Sequence, residues 1–148
     1  RSEDFLIIGR TDARSVEGID GAIERAQRYC EAGADMIFVN SLESEDEMRK
    51  VTAAVPRPVK INIIEGHPAS RFTSDVLFAF GFKLVGYAGF LQRAAGKAMA
   101  DSLKTLREER HTEGALRQLL MTPAQRYEVL DVERYKALEA RLFAGDGV

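Results

Sequence analysis

Tryptophan is missing from the 148 residues, cysteine occurs once, and proline only four times. No apolar stretch approaches the roughly 20 residues that a membrane-spanning helix requires, and nothing at the start reads as a signal peptide. The lone Cys30 has no partner for an internal disulfide, which excludes a disulfide-stapled scaffold and fits a reducing, cytoplasmic location. Charge of one sign is also lacking: 21 Lys and Arg against 23 Asp and Glu leave a formal net charge of −2. The two signs interleave along the polar stretches and form no basic stripe, so neither nucleic acid nor a membrane is an expected partner. There is no Gly-rich phosphate loop, no HExxH or CxxC spacing, and no Ser-His-Asp arrangement. The first methionine is Met36, although a strand-like run already begins at Phe5, so the sequence reads as a piece of a longer protein.

What is present is an ordinary globular composition, 45% hydrophobic and 30% charged, with enough chain to bury a sizeable core. Phe5-Leu-Ile-Ile8 is an apolar run. Behind it Ile19, Ala22, Ile23, Ala26, Tyr29 and Cys30 recur at helical spacing, opposite Glu24, Arg25, Arg28 and Glu31. Gly33 suits the left-handed position that ends a helix, and Met36-Ile-Phe-Val39 is the next strand. Ser44 and Glu47 fit a capping box opening a helix towards Val55, which Pro56-Arg-Pro58 halts before a strand at Val59–Ile64. Thr73 begins a third helix that stops at Gly81. Lys83–Ala88 is a fourth strand, followed by a long helix from about Phe90 to Arg110.

Strand starts near residues 5, 36, 59 and 83 recur every ~25 to 30 residues, about one strand plus a crossover helix and two loops. This repetition argues a parallel sheet flanked by helices, with strands too apolar to alternate because both faces are covered. The expected division is 1–111 for four βα units and 112–148 for a helical segment. In that segment Thr112, Thr122 and Asp131 are candidate N-caps, and Thr122-Pro-Ala-Gln125 combines a capping box with proline at the first helical position. The apolar residues of this tail, among them Leu116, Leu119, Leu120, Met121, Tyr127, Leu130, Tyr135, Leu138, Leu142 and Phe143, should pack on the sheet domain or on another subunit.

Parallel α/β folds gather ligand-binding groups at the carboxyl ends of their strands. Here the first strand delivers Arg10 and Asp12, the second Asn40, the third Asn62 with Glu65 and His67 beyond it, and the fourth ends near Tyr87. An arginine fork at that rim can hold a carboxylate bidentately, and Asn40 and Asn62 can donate amide hydrogens to substrate oxygens. The structural alternatives are plain: Arg10 paired with Asp12 as rim architecture, the two asparagines satisfying loop backbone, His67 as a loop residue, His111 as a solvated helix-end residue, and Cys30 as an inert core thiol. Carboxylates suited to magnesium are absent from the rim except for Asp12 and Glu65.

The stretches Arg10-Thr-Asp-Ala-Arg14, Gly21-Ala-Ile-Glu-Arg-Ala26, Glu31-Ala-Gly-Ala-Asp35 and Asn62-Ile-Ile-Glu-Gly66, together with the helical tail, resemble the isocitrate lyase and phosphoenolpyruvate mutase superfamily, particularly its 2-methylisocitrate lyase, dimethylmalate lyase and carboxyphosphonoenolpyruvate mutase branch. The resemblance implies a β/α barrel whose last helix is exchanged between subunits, usually in a homo-tetramer. It also implies chemistry on C–C or C–P bonds next to an α-keto acid through a magnesium-bound enolate. Four strands would then be the second half of an eight-stranded barrel. Arg10 matches the arginine that grips the substrate carboxylate, and Asn62 an asparagine of the same pocket. Asn40 stands where lyases acting on tricarboxylates or dimethylmalate usually carry a glutamate.

Magnesium is expected for the intact family enzyme, but its ligands and the Lys-Lys-Cys-Gly-His-like loop belong to the first half; none of the metal ligands is identified in this chain, and Cys30 does not match the loop cysteine. The implied function is thus the carboxyl-terminal part of a magnesium-dependent carbon–carbon lyase acting on a small carboxylic acid, inactive without its amino-terminal half. The alternatives are a non-catalytic half-barrel assembly module and an α-keto acid decarboxylase or C–P bond enzyme of the same superfamily.

Overall fold

A computed structural model describes residues 4–144; Arg1, where the chain opens, and the side chain of Leu116 lie outside the described residues. Four parallel strands, β1 (Ile8–Thr11), β2 (Met36–Val39), β3 (Val59–Ile63) and β4 (Leu84–Tyr87), form one sheet in the order β1-β2-β3-β4. The strands are joined by helices α1 (Arg14–Glu31), α2 (Glu45–Ala54) and α3 (Ser74–Ala79), with a 3₁₀ turn at Pro68–Arg71 before α3. Because every crossover steps to the next strand in the same direction, right-handed connections put all three helices on one face of the sheet. This is half of a (β/α)8 barrel, followed by α4 (Phe90–Glu109), α5 (Glu113–Gln118), α6 (Pro123–Val129) and α7 (Val132–Phe143). The chain divides into two compact units, residues 1–90 and 91–148.

In the first unit the core lies between the sheet and α1 to α3. Ile37, Val39, Val59, Ile61 and Ile63 project from the strands to meet Ala22, Ile23, Ala26 and Cys30 of α1, Met48 and Val51 of α2 and Leu77 of α3. Burial pushes the Cys30 thiol pKa up, as befits an unreactive packing residue. Gly33 and Gly81 end their helices with φ of 99° and 105°, values that cost an L-residue strain and glycine none. A Cβ at Gly81 would also fall 2.9 Å from Cβ of Thr52.

Three expectations change. The first strand begins at Ile8, not Phe5: a strand exists only where a neighbour can bond it, and β2 starts at Met36, opposite Ile8. Phe5 and Leu6 accordingly remain exposed. The sheet is not buried on both faces either. β3 alternates buried Val59, Ile61 and Ile63 with half-buried Lys60 and Asn62, because the face turned away from the helices is a barrel interior that four strands cannot enclose. The capping box at Ser44 is half formed: the Glu47 amide donates to Ser44 Oγ at 3.1 Å, but the Glu47 carboxylate turns to the Glu43 amide at 2.8 Å.

In the second unit, Thr122 and Gln125 make the full reciprocal box, with Pro123 in the first turn. Asp131 and Thr112 precede their helices without side-chain caps. α6 packs against α7, and Tyr127, Leu130, Tyr135, Leu138, Leu142 and Phe143 stay exposed in the single chain. No helix among the described residues is long and apolar enough to cross a membrane.

Met48 is 0% exposed and Val16 86%. Met48→Ala is expected to lower unfolding free energy by about 2–5 kcal/mol and Val16→Ala by under about 0.5. Chemical denaturation checks this, and similar midpoints for the two variants would contradict the core assignment.

Candidate functional site at the carboxyl ends of the strands

Side chains alternate across a strand, so residues in register two apart share a face. Arg10 pairs with Phe38, and Phe38 with Lys60, which places the three in one row across β1, β2 and β3 on the face away from the helices. Two residues further along lie Asp12, Asn40 and Asn62. The rows are thus a lower band of two cations around a phenyl ring and an upper band of one carboxylate and two amides.

The structure joins three of the expected residues directly. Arg10 donates from Nε to Asp12 Oδ2 and from Nη2 to Asp12 Oδ1, both at 2.9 Å, and Asn40 Nδ2 donates to the same Oδ1 at 2.7 Å. Both side chains of the ion pair are 57% exposed. The fork and amide together hold the Asp12 carboxyl below the usual carboxylate range, and Asp12 in turn raises the Arg10 guanidinium. Buried Thr11 accepts the Ala13 amide at Oγ1, 3.1 Å away, fixing the turn out of β1.

Asn40, Asn62 and His67 share a cleft of about 90 Å³ at the ends of β2 and β3, together with Phe38 and Ser41. Arg10 does not line it. Its link to that cleft runs through Asp12 to Asn40 and through the face of Phe38, whose ring centroid lies 5.4 Å from Arg10 Cζ. Glu65, in the loop after β3, is not part of the cleft wall. His67 is exposed, at the turn into the 3₁₀ segment, where its carbonyl accepts from Ser70 Oγ. Ser41, next to Asn40, adopts φ 61°, an uncommon left-handed conformation for a residue other than glycine.

Two features escaped the sequence reading. Arg14 clamps the start of α1 to the start of α2: Nη2 lies 2.7 Å from Glu47 Oε1, Nη1 lies 2.5 Å from Glu43 Oε1, and Arg14 and Glu47 are only 19% and 18% exposed. Burial alone would raise the Glu47 pKa, but the hydrogen bonds from Arg14 and from the Glu43 amide overcome it and the carboxyl is lowered. The second is Lys60, whose Nζ sits 4.7 Å from the Phe38 ring centroid. The alternation Val-Lys-Ile-Asn-Ile was the available signal for it.

The described residues do not fit a magnesium ion. Among them no group of three or more His, Cys, Asp or Glu side chains converges to hold a metal, and both oxygens of Asp12 already accept hydrogen bonds.

Successive parallel βα units with polar side chains from the strand ends on one rim define this chain as half of a β/α-barrel protein. The chain belongs to the phosphoenolpyruvate phosphomutase family, which it matches over residues 1–107, and so to the isocitrate lyase/PEP mutase superfamily. It is 33% identical over 142 residues to 2,3-dimethylmalate lyase of Eubacterium barkeri, covering 96% of this chain and 49% of that protein. It is 36% identical over 144 residues to the probable 2-methylisocitrate lyase 1 of Corynebacterium glutamicum, covering 97% and 47%. The crystal structure of 2,3-dimethylmalate lyase superposes with a TM-score of 0.84 at 21% identity, over 94% of this chain and 48% of that one, a likeness of fold. The chain spans about half the length of the curated relatives it matches.

Two predictions follow from this geometry. Asp12 and Glu47 both have folded pKa values below their ordinary 3.8 and 4.5, so each contributes stability that is present above those values and is lost as pH falls through the lower folded values. A carboxyl NMR titration should place the Asp12 midpoint below 3.8 and return it towards 3.8 in Arg10→Ala; an unchanged midpoint would contradict the coupling. At Gly86 an added Cβ would lie 2.7 Å from Asn62 Oδ1. Gly86→Ala should therefore shift the Asn62 side-chain amide resonances while leaving those of Asn40 nearly in place.

Proposed function

We propose that this chain is the carboxyl-terminal part of a carbon–carbon lyase of the superfamily, cleaving a 2-methylisocitrate-like or related α-keto or hydroxy acid, and that it works only when joined to an amino-terminal half. The observation that carries the reading is the Arg10–Asp12–Asn40 array on the open face of a half barrel. A guanidinium has five N–H donors, and Asp12 engages only Nε and one N–H of Nη2. The remaining donors are held in a fixed orientation, ready to grip a substrate carboxylate, while Asn62 and the second amide hydrogen of Asn40 are offered from the neighbouring strands to other oxygens of the substrate. Asp12 acts in this reading by positioning the fork, and Glu65 and His67 stay peripheral. Magnesium would stabilise an enolate as a Lewis acid, and its carboxylate ligands would come from the other half.

Identity of about a third with proteins called 2,3-dimethylmalate lyase and 2-methylisocitrate lyase supports the reaction class. Asn40, in place of the glutamate that the resemblance leads one to expect, leaves the α-keto acid decarboxylase and C–P bond chemistries within the proposal. The exposed apolar residues of α6 and α7 support a homo-oligomer, a tetramer by family resemblance, and the proposed location is the cytoplasm. One observation favours a non-catalytic assembly module: the Arg10–Asp12 pair is closed on itself, as rim architecture would be.

An assay separates the two. The chain alone, supplied with magnesium and 2-methylisocitrate, is expected to show no cleavage, and joining it to an amino-terminal half barrel should restore turnover. In that assembly Arg10→Ala should lower kcat/KM by about 100-fold or more. Full activity of the isolated chain, or an Arg10→Ala assembly as active as its parent, would overturn the proposal.

A further inference from the structure

The backbone ladder between β1 and β2 ends where the Asn40 amide donates to the Thr11 carbonyl at 3.0 Å. Past that bond, among the described residues, no backbone hydrogen bond joins the loop after β1 to the loop after β2, and side chains tie the two together. One tie is the bond from Asn40 Nδ2 to Asp12 Oδ1 at 2.7 Å. The other is Arg14, which donates from Nη2 to Glu47 Oε1 and to Glu43 Oε2, each at 2.7 Å, and from Nε to both Glu47 oxygens at 3.2 Å. The two ties are neighbours along the chain: Arg14 stands two residues after Asp12, and Glu43 three after Asn40.

Regular structure does not hold either loop in place. Gly18, at φ 74°, interrupts α1 after its first turn, so the turn that bears Arg14 is not aligned by the longer part of the helix. On the other loop Ser41, at φ 61°, keeps a left-handed conformation that a non-glycine residue retains only where its surroundings over-determine it. Those surroundings are the buried Leu42, anchored in the core, and Glu43, anchored on Arg14. A guanidinium fork held between two carboxylates and mostly shielded from water fixes direction as well as distance, which a single point charge would not.

We propose that Arg14 is a positioning residue for the carboxylate site: by fixing the loop after β2 on the turn after β1, it sets the Asn40 side chain against Asp12 in the orientation that meets the substrate. This rests on the carboxylate-binding reading given above. Arg14 itself touches no substrate and acts through Glu43 and Asn40.

The test follows the Asn40 side-chain amide and the Asp12 carboxyl by NMR in the chain. Arg14→Met keeps an unbranched apolar stem and removes the fork. It should move the Asn40 amide protons upfield, towards the shifts of an amide in water, and carry the Asp12 midpoint part of the way back to its ordinary 3.8. The Arg10 Nε resonance should stay in place, because the Arg10–Asp12 pair lies within one loop and does not depend on the clamp. Arg14→Lys, which cannot engage both carboxylates as a fork, should give a smaller displacement in the same direction. Glu43→Gln, at an exposed position, should do the same and carries the test if Arg14→Met does not fold, with thermal melts establishing which variants are folded. In the joined barrel, Arg14→Met should raise KM for 2-methylisocitrate about tenfold and leave kcat within about twofold, the pattern of weakened binding. Asn40 and Asp12 signals that stay in place in the folded variants, or an unchanged KM despite a displaced Asn40, overturn this inference alone, whatever stability is lost. The lyase reading fails separately, on an Arg10→Ala assembly as active as its parent.

Discussion

A strand residue can face only two ways, and in-register parallel pairing of β1, β2 and β3 decides which way the charged ones face. Arg10, Phe38 and Lys60 form one row because Ile37, Val39, Val59, Ile61 and Ile63 are committed to the helices. Slipping β1 by one residue would turn Arg10 towards the helices, where the helix-facing Gly9 already lies against Ile37, Tyr29 and Ala34, and would send Thr11 outward. The cost of burying that charge makes the register secure. The hydrophobic layer thus determines the site indirectly, by leaving the alternate positions as the only place where polar side chains can stand.

Polar contacts then hold the rim without adding to the core. Arg14 is nearly enclosed and reaches Glu43 and Glu47 across about thirty residues of sequence, so the loops after β1 and β2 are fastened to each other above the sheet. Asp12 serves as a hub for Arg10 and Asn40, with its backbone carbonyl also accepting from Ser15 Oγ at 3.0 Å. Such a hub orders side chains from two strands before any ligand arrives, which lowers the entropy lost on binding.

Much of this was legible in the sequence for identifiable reasons. The four βα repeats, the helix stops at Gly33 and Gly81, the Thr122 box and the buried Cys30 all follow from local rules of spacing and capping. The placement of Arg10, Asp12, Asn40 and Asn62 at the ends of neighbouring strands followed from the same repeats, because parallel strands in register carry their ends to one side of the sheet. What local rules could not supply is partnership at a distance. The start of β1 depends on where β2 begins, the Glu47 carboxylate prefers Arg14 and the Glu43 amide to its own cap, and the Arg10–Asp12 pair is joined by Asn40 from the end of another strand. Lys60 was hidden by the premise that both faces of the sheet are covered. With one face open, the alternation along Val59–Ile63 is the ordinary signature of a half-exposed strand.

Among the described residues, the outer margins of β1 and β4 have no neighbouring strand. Because all four strands run the same way, an arriving strand that keeps the pattern must run that way too, and a tight reverse turn out of β4 would point its strand in the wrong direction. Completing the cylinder is therefore a matter of whole modules, each bringing its own crossover, in the way a ring is finished by adding segments and not by bending its ends together.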